Sequence, residues 1–513
     1  MLFTPESDLL WDTWLVERDG VFHLFYIRAR PGEERAASGA PEPTIGFGWD
    51  AINLATSTDL LHWTDQGSVI HKSPDALWLG TGMVHQVEGG YVVNFSEERP
   101  RGHQVICFAA STDLRTWQRF PVERDLRADG TIYQSEPERS ADPLPRWDSL
   151  GVVAPGADRS HFLGMLTAEA VDATAPGASA VLGCVISADG IDWAVAPPLT
   201  RPGMFPSYEV PQHVQFGGRH YVLFSTNTTA GARFVAGDPH PQGGTYYVVS
   251  DAIDGPYELP PCHPMLQGHR SAGREFGTYV GRPFLKSDGE QLYYHHWTAA
   301  IPDGWWGPPK LLVERAPYVL GLDYWPGTEG LKLTADVQLF RPDRFVPLAR
   351  AGALPVVNWQ AVEGGLRVTD GGGAHAARWD VGPGCAGHVV EAEITVDSGR
   401  ALGFWFGYEH SDDMLGVCFD VQNRCVELGT VTYFRDGSSV TIAPEETAAV
   451  EVAYGRAVRV RLLARHQFVE VYADDRLVKS FVGRSPLDLD RLGFYAERAV
   501  GAFSGICHWP MSV

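Results

Sequence analysis

One unit recurs five times before residue 300, and that recurrence constrains the fold more than anything else in the chain. Each copy is a short apolar segment, a turn bearing Gly or Asp, and a second apolar strand. The copies open at Trp11-Asp12-Thr13-Trp14, Leu79-Gly80-Thr81-Gly82, Arg146-Trp147-Asp148-Ser149, Tyr208-Glu209-Val210-Pro211 and Tyr279-Val280-Gly281-Arg282. Their turns are Asp19-Gly20, Gly89-Gly90, Gly156-Ala157-Asp158, Gly217-Gly218 and Asp288-Gly289. A hairpin with one apolar face cannot bury that face alone, so serial copies must pack on one another. Five copies predict a five-bladed β-propeller. In such a fold the first strand of each blade lines the axis, and equivalent positions converge on one pocket. Three of the copies carry an acid there: Asp12, Asp148 and Glu209.

A second repeat supports the first. Ser57-Thr58-Asp59-Leu60-Leu61-His62-Trp63 returns as Ser111-Thr112-Asp113-Leu114-Arg115-Thr116-Trp117 and as Ser187-Ala188-Asp189-Gly190-Ile191-Asp192-Trp193, each after a β-rich run. Val249-Ser250-Asp251-Ala252-Ile253-Asp254-Gly255-Pro256-Tyr257 is a variant copy. The pattern reads as a strand end, a polar turn in which Asp caps backbone N–H groups, and a Trp plugging the gap between blades. Trp305 and Trp306, in a Gly/Pro-rich loop, either form a rim or plug the closure between the last blade and the first. The propeller is expected to span 1–347, with a linker at 348–355. From 356 to 513 the texture changes to alternating strands such as Val458-Arg459-Val460-Arg461-Leu462-Leu463, which predicts a C-terminal antiparallel β-sandwich. The fold class is therefore all-β.

With 63 acidic against 41 basic residues the net charge is −22, which argues against nucleic acid and anionic membranes as partners. A neutral small molecule or oligosaccharide suits it better, and a homo-oligomer is compatible with the sequence. The seven cysteines are scattered and form no metal-ligand spacing, so reduced thiols are expected rather than disulfides or structural zinc. His213, His295 and His296 do not make a metal site, and no metal or cofactor is expected. The start of the chain has no basic region and no apolar core of signal-peptide length, and no later stretch reaches membrane-spanning length, which predicts a cytoplasmic protein.

Three convergent acids suit glycoside hydrolysis, which needs one carboxyl to attack the anomeric carbon or activate water and another to protonate the leaving oxygen. A third acid can hold sugar hydroxyls. Tyr208 and Pro211 give Glu209 apolar surroundings that raise its pKa, as do two nearby acids, so Glu209 is the natural general acid. Trp11 and Trp14 flank Asp12 as candidates for a sugar-stacking wall. Trp49 and Asp50, ahead of the third strand of the first blade, are candidate substrate contacts. Arg282 falls on the axis of the fifth copy, where it bonds a sugar hydroxyl or an acid, or forms a plain structural ion pair.

These residues reach a known family. Trp11-Asp12 with the strand Phe22 to Tyr26 resembles the nucleophile segment of glycoside hydrolase family 32, in the clan that also holds families 68, 43 and 62. Leu54 to Trp63 resembles its first blade end, Trp78-Leu79-Gly80-Thr81-Gly82-Met83-Val84 its second-blade segment, and Tyr208-Glu209-Val210-Pro211-Gln212 its acid/base segment. The resemblance covers roughly the first 345 residues, and the sandwich is similar to the family's C-terminal domain. It implies retaining cleavage or transfer of a terminal furanosyl unit, foremost a β-fructofuranoside, with Asp12 as nucleophile, Asp148 as transition-state stabiliser and Glu209 as acid/base. It also implies substrate contacts at Trp78, Thr81 and Trp147. The chain departs from the family where Asn and Pro usually flank the nucleophile, here Trp11 and Thr13. The central Arg-Asp-Pro becomes Trp147-Asp148-Ser149, with an arginine displaced to Arg146, and the Cys after the acid/base is Val210. Asp142, in Ala141-Asp142-Pro143, competes with Asp148 for the middle role. An arabinofuranosidase or xylosidase on the same fold, and a non-catalytic carbohydrate-binding propeller, remain as alternative readings.

Overall fold

The computed structural model describes residues 2–30, 48–100, 103–135, 145–156, 159–173, 179–226, 243–262, 264–271, 274–300, 303–348, 359–362, 364–369, 373–381, 386–433 and 440–512. Asp142, most of the linker and Cys385 lie outside them. Among the described residues the chain is almost all β, with a few short 3₁₀ turns. It forms two compact units, one of residues 2–268 with 277–321 and one of 269–276 with 322–513.

The first unit is a series of antiparallel sheets in chain order. The first sheet is β1 (Leu9–Arg18), β2 (Val21–Ala29), β3 (Ala51–Ser57) and β4 (Thr64–His71). The second is β5 (Trp78–Val87), β6 (Gly90–Arg99), β7 (His103–Ser111) and β8 (Gln118–Arg119). The third is β9 (Trp147–Val153), β10 (Phe162–Glu169), β11 (Ala180–Ser187) and β12 (Trp193–Ala196). The fourth is β13 (Glu209–Phe216), β14 (Arg219–Thr226), β15 (Gly244–Ser250) and β16 (Leu266–Gln267). The hairpin strand β17 (His269–Ser271) pairs with the start of β18 (Arg274–Leu285), and these residues, up to Phe276, belong to the second unit. The rest of β18 pairs with β19 (Gln291–Ala300), which also pairs with β20 (Asp303–Trp306) and β21 (Lys310–Ala316), and β22 (Val319–Tyr324) follows.

Each apolar layer joins one sheet to the next. Trp14, Phe25, Leu54, Val93, Phe95 and Leu114 bind the first sheet to the second. Val92, Ile106, Leu150, Leu166 and Val185 bind the second to the third. Met165, Leu182, Tyr208, Phe224 and Tyr246 bind the third to the fourth. Thr245 and Tyr293 hydrogen bond at 2.8 Å between the fourth and fifth. The fifth meets the first through Leu10 opposite Gly304, and through Leu2 and Phe3, which exchange backbone hydrogen bonds with Trp306 at 2.8 and 2.9 Å. Glycine is required at 304, since a Cβ there would sit 2.3 Å from the Leu10 carbonyl oxygen.

The Ser-x-Asp turns behave as their sequence predicts. The Asp59 carboxylate accepts from the N–H groups of Leu61 and His62, Asp113 from those of Arg115 and Thr116, and Asp189 from those of Ile191 and Asp192. Those backbone bonds, as the main cause, pull the Asp113 carboxyl down to about 2. Leu60, Leu114 and Gly190 share one left-handed turn position, with φ of 66°, 64° and 78°. The tryptophan ending each motif reaches back to the preceding sheet. Trp117 meets Phe25 at 5.9 Å, Trp193 meets His85 at 6.2 Å, and Trp63 of the first sheet meets Trp306 of the fifth at 5.6 Å. Trp306 therefore plugs the junction of the last sheet with the first, and it does so from a strand rather than a loop.

In the second unit, the long strand His388–Tyr408 pairs along nearly its whole length with Leu487–Pro510, and the sheets enclose one apolar core that includes Phe404, Phe494 and Phe503. A half-buried Arg400 there bonds Asp420, Glu427 and Glu497 at 2.6–2.8 Å.

Candidate active site

Every first strand of the five sheets carries a β-bulge, and the acids sit at those bulges. The ladder slips between Trp11 and Thr13, Leu79 and Gly82, Glu209 and Gln212, and Tyr279 and Arg282, and β10 slips where it faces Asp148 to Gly151. A bulge adds one residue to one strand and re-aims its side chains. Ser149, Val210 and Val280, each just after a site residue, have φ of 62°, 56° and 50°. That left-handed conformation is uncommon for any non-glycine residue and an outlier for branched valine, so the packing around these bulges holds the strain. The first strands of neighbouring sheets lie side by side, β1 with β5, β5 with β9 and β9 with β13. Glycine is needed at 151, where a Cβ would fall 2.1 Å from the Pro211 carbonyl oxygen of the next sheet.

Asp12, Asp148 and Glu209 are all buried, with 8%, 3% and 6% of their surface exposed. Arg146 ties two of them together. Its Nε and Nη2 donate to Asp148 Oδ2 at 3.0 and 2.7 Å, and its Nη1 donates to Glu209 Oε1 at 2.9 Å. Tyr279 donates its hydroxyl to the other oxygen, Glu209 Oε2. Asp12 Oδ1 and Asp148 Oδ1 are buried with no hydrogen-bond partner among the described residues.

The electrostatics follow from that geometry. Burial lifts the Asp12 carboxyl from 3.8 to about 7; the Arg282 guanidinium draws it back, while the charges of Glu209 and Asp148 push it further up. Burial also raises Glu209; Arg146 opposes the rise and Asp148 adds to it. Asp12 thus feels the charges of Glu209 and Asp148, and Glu209 feels that of Asp148. With Arg146 and Arg282 the three acids sum to −1 when fully ionised.

Aromatic rings adjoin the acids. Trp11 stacks on Trp49 at 5.9 Å and lies 5.5 Å from Tyr279 and 5.0 Å from His296, while Trp78 meets Trp49 edge-on at 5.9 Å. Trp78 Nε1 donates to Glu98 Oε2 at 2.7 Å. Burial raises the Glu98 carboxyl, and the charges of Arg146 and Asp148 both reach it. Arg282, 1% exposed, crosses to the second sheet, donating to the Gly82 carbonyl at 3.0 Å and to Thr81 Oγ1 at 2.7 Å. Thr81 is thereby engaged by Arg282.

Three other candidates are engaged elsewhere. Trp14 stacks on Phe25 within an apolar layer, with the Arg282 guanidinium 5.9 Å over its ring. Trp147 packs on Tyr133 and donates to the Leu126 carbonyl at 3.1 Å. Asp50 is taken by Arg28, whose Nε and Nη2 reach its Oδ1 at 2.9 and 2.6 Å.

Tyr279, Glu98 and His296 join the site without having been singled out for it in the sequence, and Arg146 is marked there only as a displaced arginine. Tyr279 had a signal, since it occupies in the fifth unit the position that Asp148 and Glu209 occupy in theirs. His296 is its cross-strand neighbour and so points to the same face. Burial, then the charges of His295 and Arg282, lowers the His296 imidazole to about 3, which keeps it neutral. Among the described residues, no cluster of three or more His, Cys, Asp or Glu side chains forms that could hold a metal, and no helix is long and apolar enough to cross a membrane.

No protein-family profile matches the chain, and no curated protein matches it. Its fold is nevertheless that of the family 32 glycoside hydrolases of known structure. It is similar to sucrose-6-phosphate hydrolase from Lactobacillus gasseri, with a TM-score of 0.64 and 12% identity over 99% of this chain and 92% of that one. It is similar also to the fructofuranosidase of Schwanniomyces occidentalis, solved with fructose, with a TM-score of 0.63 and 11% identity over 100% and 98% of the two chains. The exo-inulinase of Aspergillus awamori gives a TM-score of 0.61 and 13% identity over 99% and 97%. At such identities the likeness is one of fold.

Proposed function

We propose that the chain is a glycoside hydrolase that cleaves or transfers a terminal furanosyl unit, foremost a β-fructofuranoside, by a retaining mechanism. The observation that carries this reading is the meeting of Asp12, Asp148 and Glu209, each at the bulge of the first strand of its own sheet, within a fold shared with fructofuranosidases. In this reading the first unit is a five-bladed β-propeller. Its support is cyclic. Each motif tryptophan reaches the preceding sheet, and that of the first sheet reaches the fifth. In the same reading the propeller spans 1–347 and a β-sandwich 356–513; residues 322–347 belong to the second compact unit.

Hydrolysis then runs in two steps. An Asp12 carboxylate oxygen attacks the anomeric carbon as the bond to the leaving oxygen breaks, and Glu209 gives its proton to that oxygen. Water next attacks the fructosyl–Asp12 bond, its proton returning to Glu209. Asp148 Oδ1 is a buried acceptor free for sugar hydroxyls, and a hydroxyl-rich ligand satisfies such an atom. The test is turnover of sucrose, inulin and nitrophenyl fructofuranosides and arabinofuranosides, beside Asp12→Ala and Glu209→Ala, with the anomer first released read by NMR. Turnover lost in both variants supports the reading, and net inversion would overturn its retaining half. Binding of fructosides without turnover would make the chain a carbohydrate-binding propeller.

Arg282→Met removes the guanidinium that lowers the Asp12 carboxyl. The acidic limb of kcat/KM, set by ionisation of Asp12, is then expected to move to higher pH. The lost bonds to Gly82 and Thr81 should cost about 1–3 kcal/mol of stability, read as a fall in Tm.

A further inference from the structure

Resting on the reading of Glu209 as acid/base, we propose that Arg146 and Tyr279 are positioning residues that give the two oxygens of Glu209 different duties. Arg146 fixes Oε1 as the charged face, and Tyr279 fixes Oε2 as the face that carries the proton.

The assignment follows from what each donor can do. A guanidinium has only donors and does not deprotonate in proteins, so the oxygen facing Arg146 Nη1 can only accept. A phenol both donates and accepts. When Glu209 is ionised, Tyr279 donates to Oε2; when Glu209 is protonated, its O–H sits on Oε2 and Tyr279 accepts from it. The proton passed to a leaving oxygen therefore departs from Oε2. As it leaves, Tyr279 turns its hydroxyl back to the new carboxylate. No other group gains or loses a proton.

Two further features tie the pair to this task. All three nitrogens of Arg146 are engaged by Asp148 and Glu209, so its planar fork sets the orientation of one carboxylate against the other. Arg146 stands just ahead of β9, two residues before Asp148, and its guanidinium turns back onto that carboxylate. Tyr279 stands in the fifth sheet where Glu209 stands in the fourth, each just before a residue of positive φ, Val280 and Val210.

The test compares the pH dependence of Tm in the wild type with that in Glu209→Gln, because their difference reports ionisation of Glu209 in the folded protein without requiring turnover. Arg146→Met and Arg146→Lys are then measured in both backgrounds, with Tyr279→Phe. Loss of the Arg146 cation should move the Glu209 transition up by one pH unit or more, a tenfold gain in proton affinity. Tyr279→Phe should move it up by less, and Arg146→Lys should leave most of it in place. A uniform fall in Tm with the transition unmoved would overturn the proposal and make Arg146 a structural tie. The pH profile of kcat/KM tests the underlying reading separately. An upward shift of the basic limb in Arg146→Met agrees with Glu209 acting as the acid. A shift of the acidic limb alone would reject that role for Glu209 while leaving Arg146 in control of its proton.

Discussion

Replacing Asp12 by asparagine is expected to abolish fructoside turnover and, above pH 7, to make the protein more stable. On the proposed reading the first effect follows from losing the nucleophile, a loss that in a serine protease lowers kcat by roughly 10⁶. The second follows from burial. The unfolded chain ionises Asp12 near 3.8, while the folded site holds the proton up to about 7. A group raised in this way favours the fold fully below its unfolded value and loses that favour as pH rises through the folded one. The gap corresponds to roughly 4 kcal/mol at most, since each pH unit is worth about 1.4 kcal/mol. Asparagine carries no such cost. Its advantage should be absent near pH 4, grow through neutrality and level off above pH 7. Measuring Tm of both proteins from pH 4 to pH 9 checks this, and equal curves would mean that Asp12 is ionised throughout. An activity held at the expense of stability is the trade expected at a site built for chemistry.

Replacing Glu209 by alanine should give a loss that depends on the leaving group. General acid catalysis contributes about 10²–10⁴ in rate when the departing oxygen needs a proton. Sucrose and inulin release poor alkoxides, so their turnover should fall by that factor. A nitrophenolate leaves without help, so the first step on an activated fructoside should fall far less. The second step still lacks its base, and a burst of nitrophenol followed by a slow steady state is the expected trace. Equal losses on both substrates would argue that Glu209 shapes the pocket rather than moving a proton. Alanine at 209 also leaves Arg146 with one carboxylate instead of two, so Glu209→Gln, which keeps a hydrogen-bond acceptor, separates the two causes.

Much of this architecture can be read from the residues because it depends on local chemistry. The Ser-x-Asp turns are visible because a short carboxylate two or three residues from a backbone N–H caps it in any context. The three acids are visible because each opens a repeated unit. What escapes is anything set by reach across sheets. Arg146 bonds Glu209, 63 positions away, through a long side chain whose direction no spacing reveals. Tyr279 lacks a charge to draw notice, although its place in the repeat equals that of Glu209. Sequence adjacency to an acid proves a weak guide to adjacency in the site. Trp147 precedes Asp148, yet alternation along a strand turns it to the opposite face and into the layer beside Tyr133. Asp50 lies next to Trp49 but is claimed by Arg28 from the neighbouring strand.

The bulge shared by the five first strands also bears on how such a chain can change. Each acts as a socket. The hydrogen-bond ladder on either side is held by the second strand of the sheet, so the side chain at the slip is not what holds the strand in place. The occupants differ widely: Asp12, Leu79, Asp148, Glu209 and Tyr279. Acid, aliphatic and phenol all stand at these slips of the ladder. Chemistry can then be exchanged one socket at a time, and Leu79, beside Trp78 and with no titratable group of its own, is the socket through which a fourth function could enter with the least disturbance to the three acids.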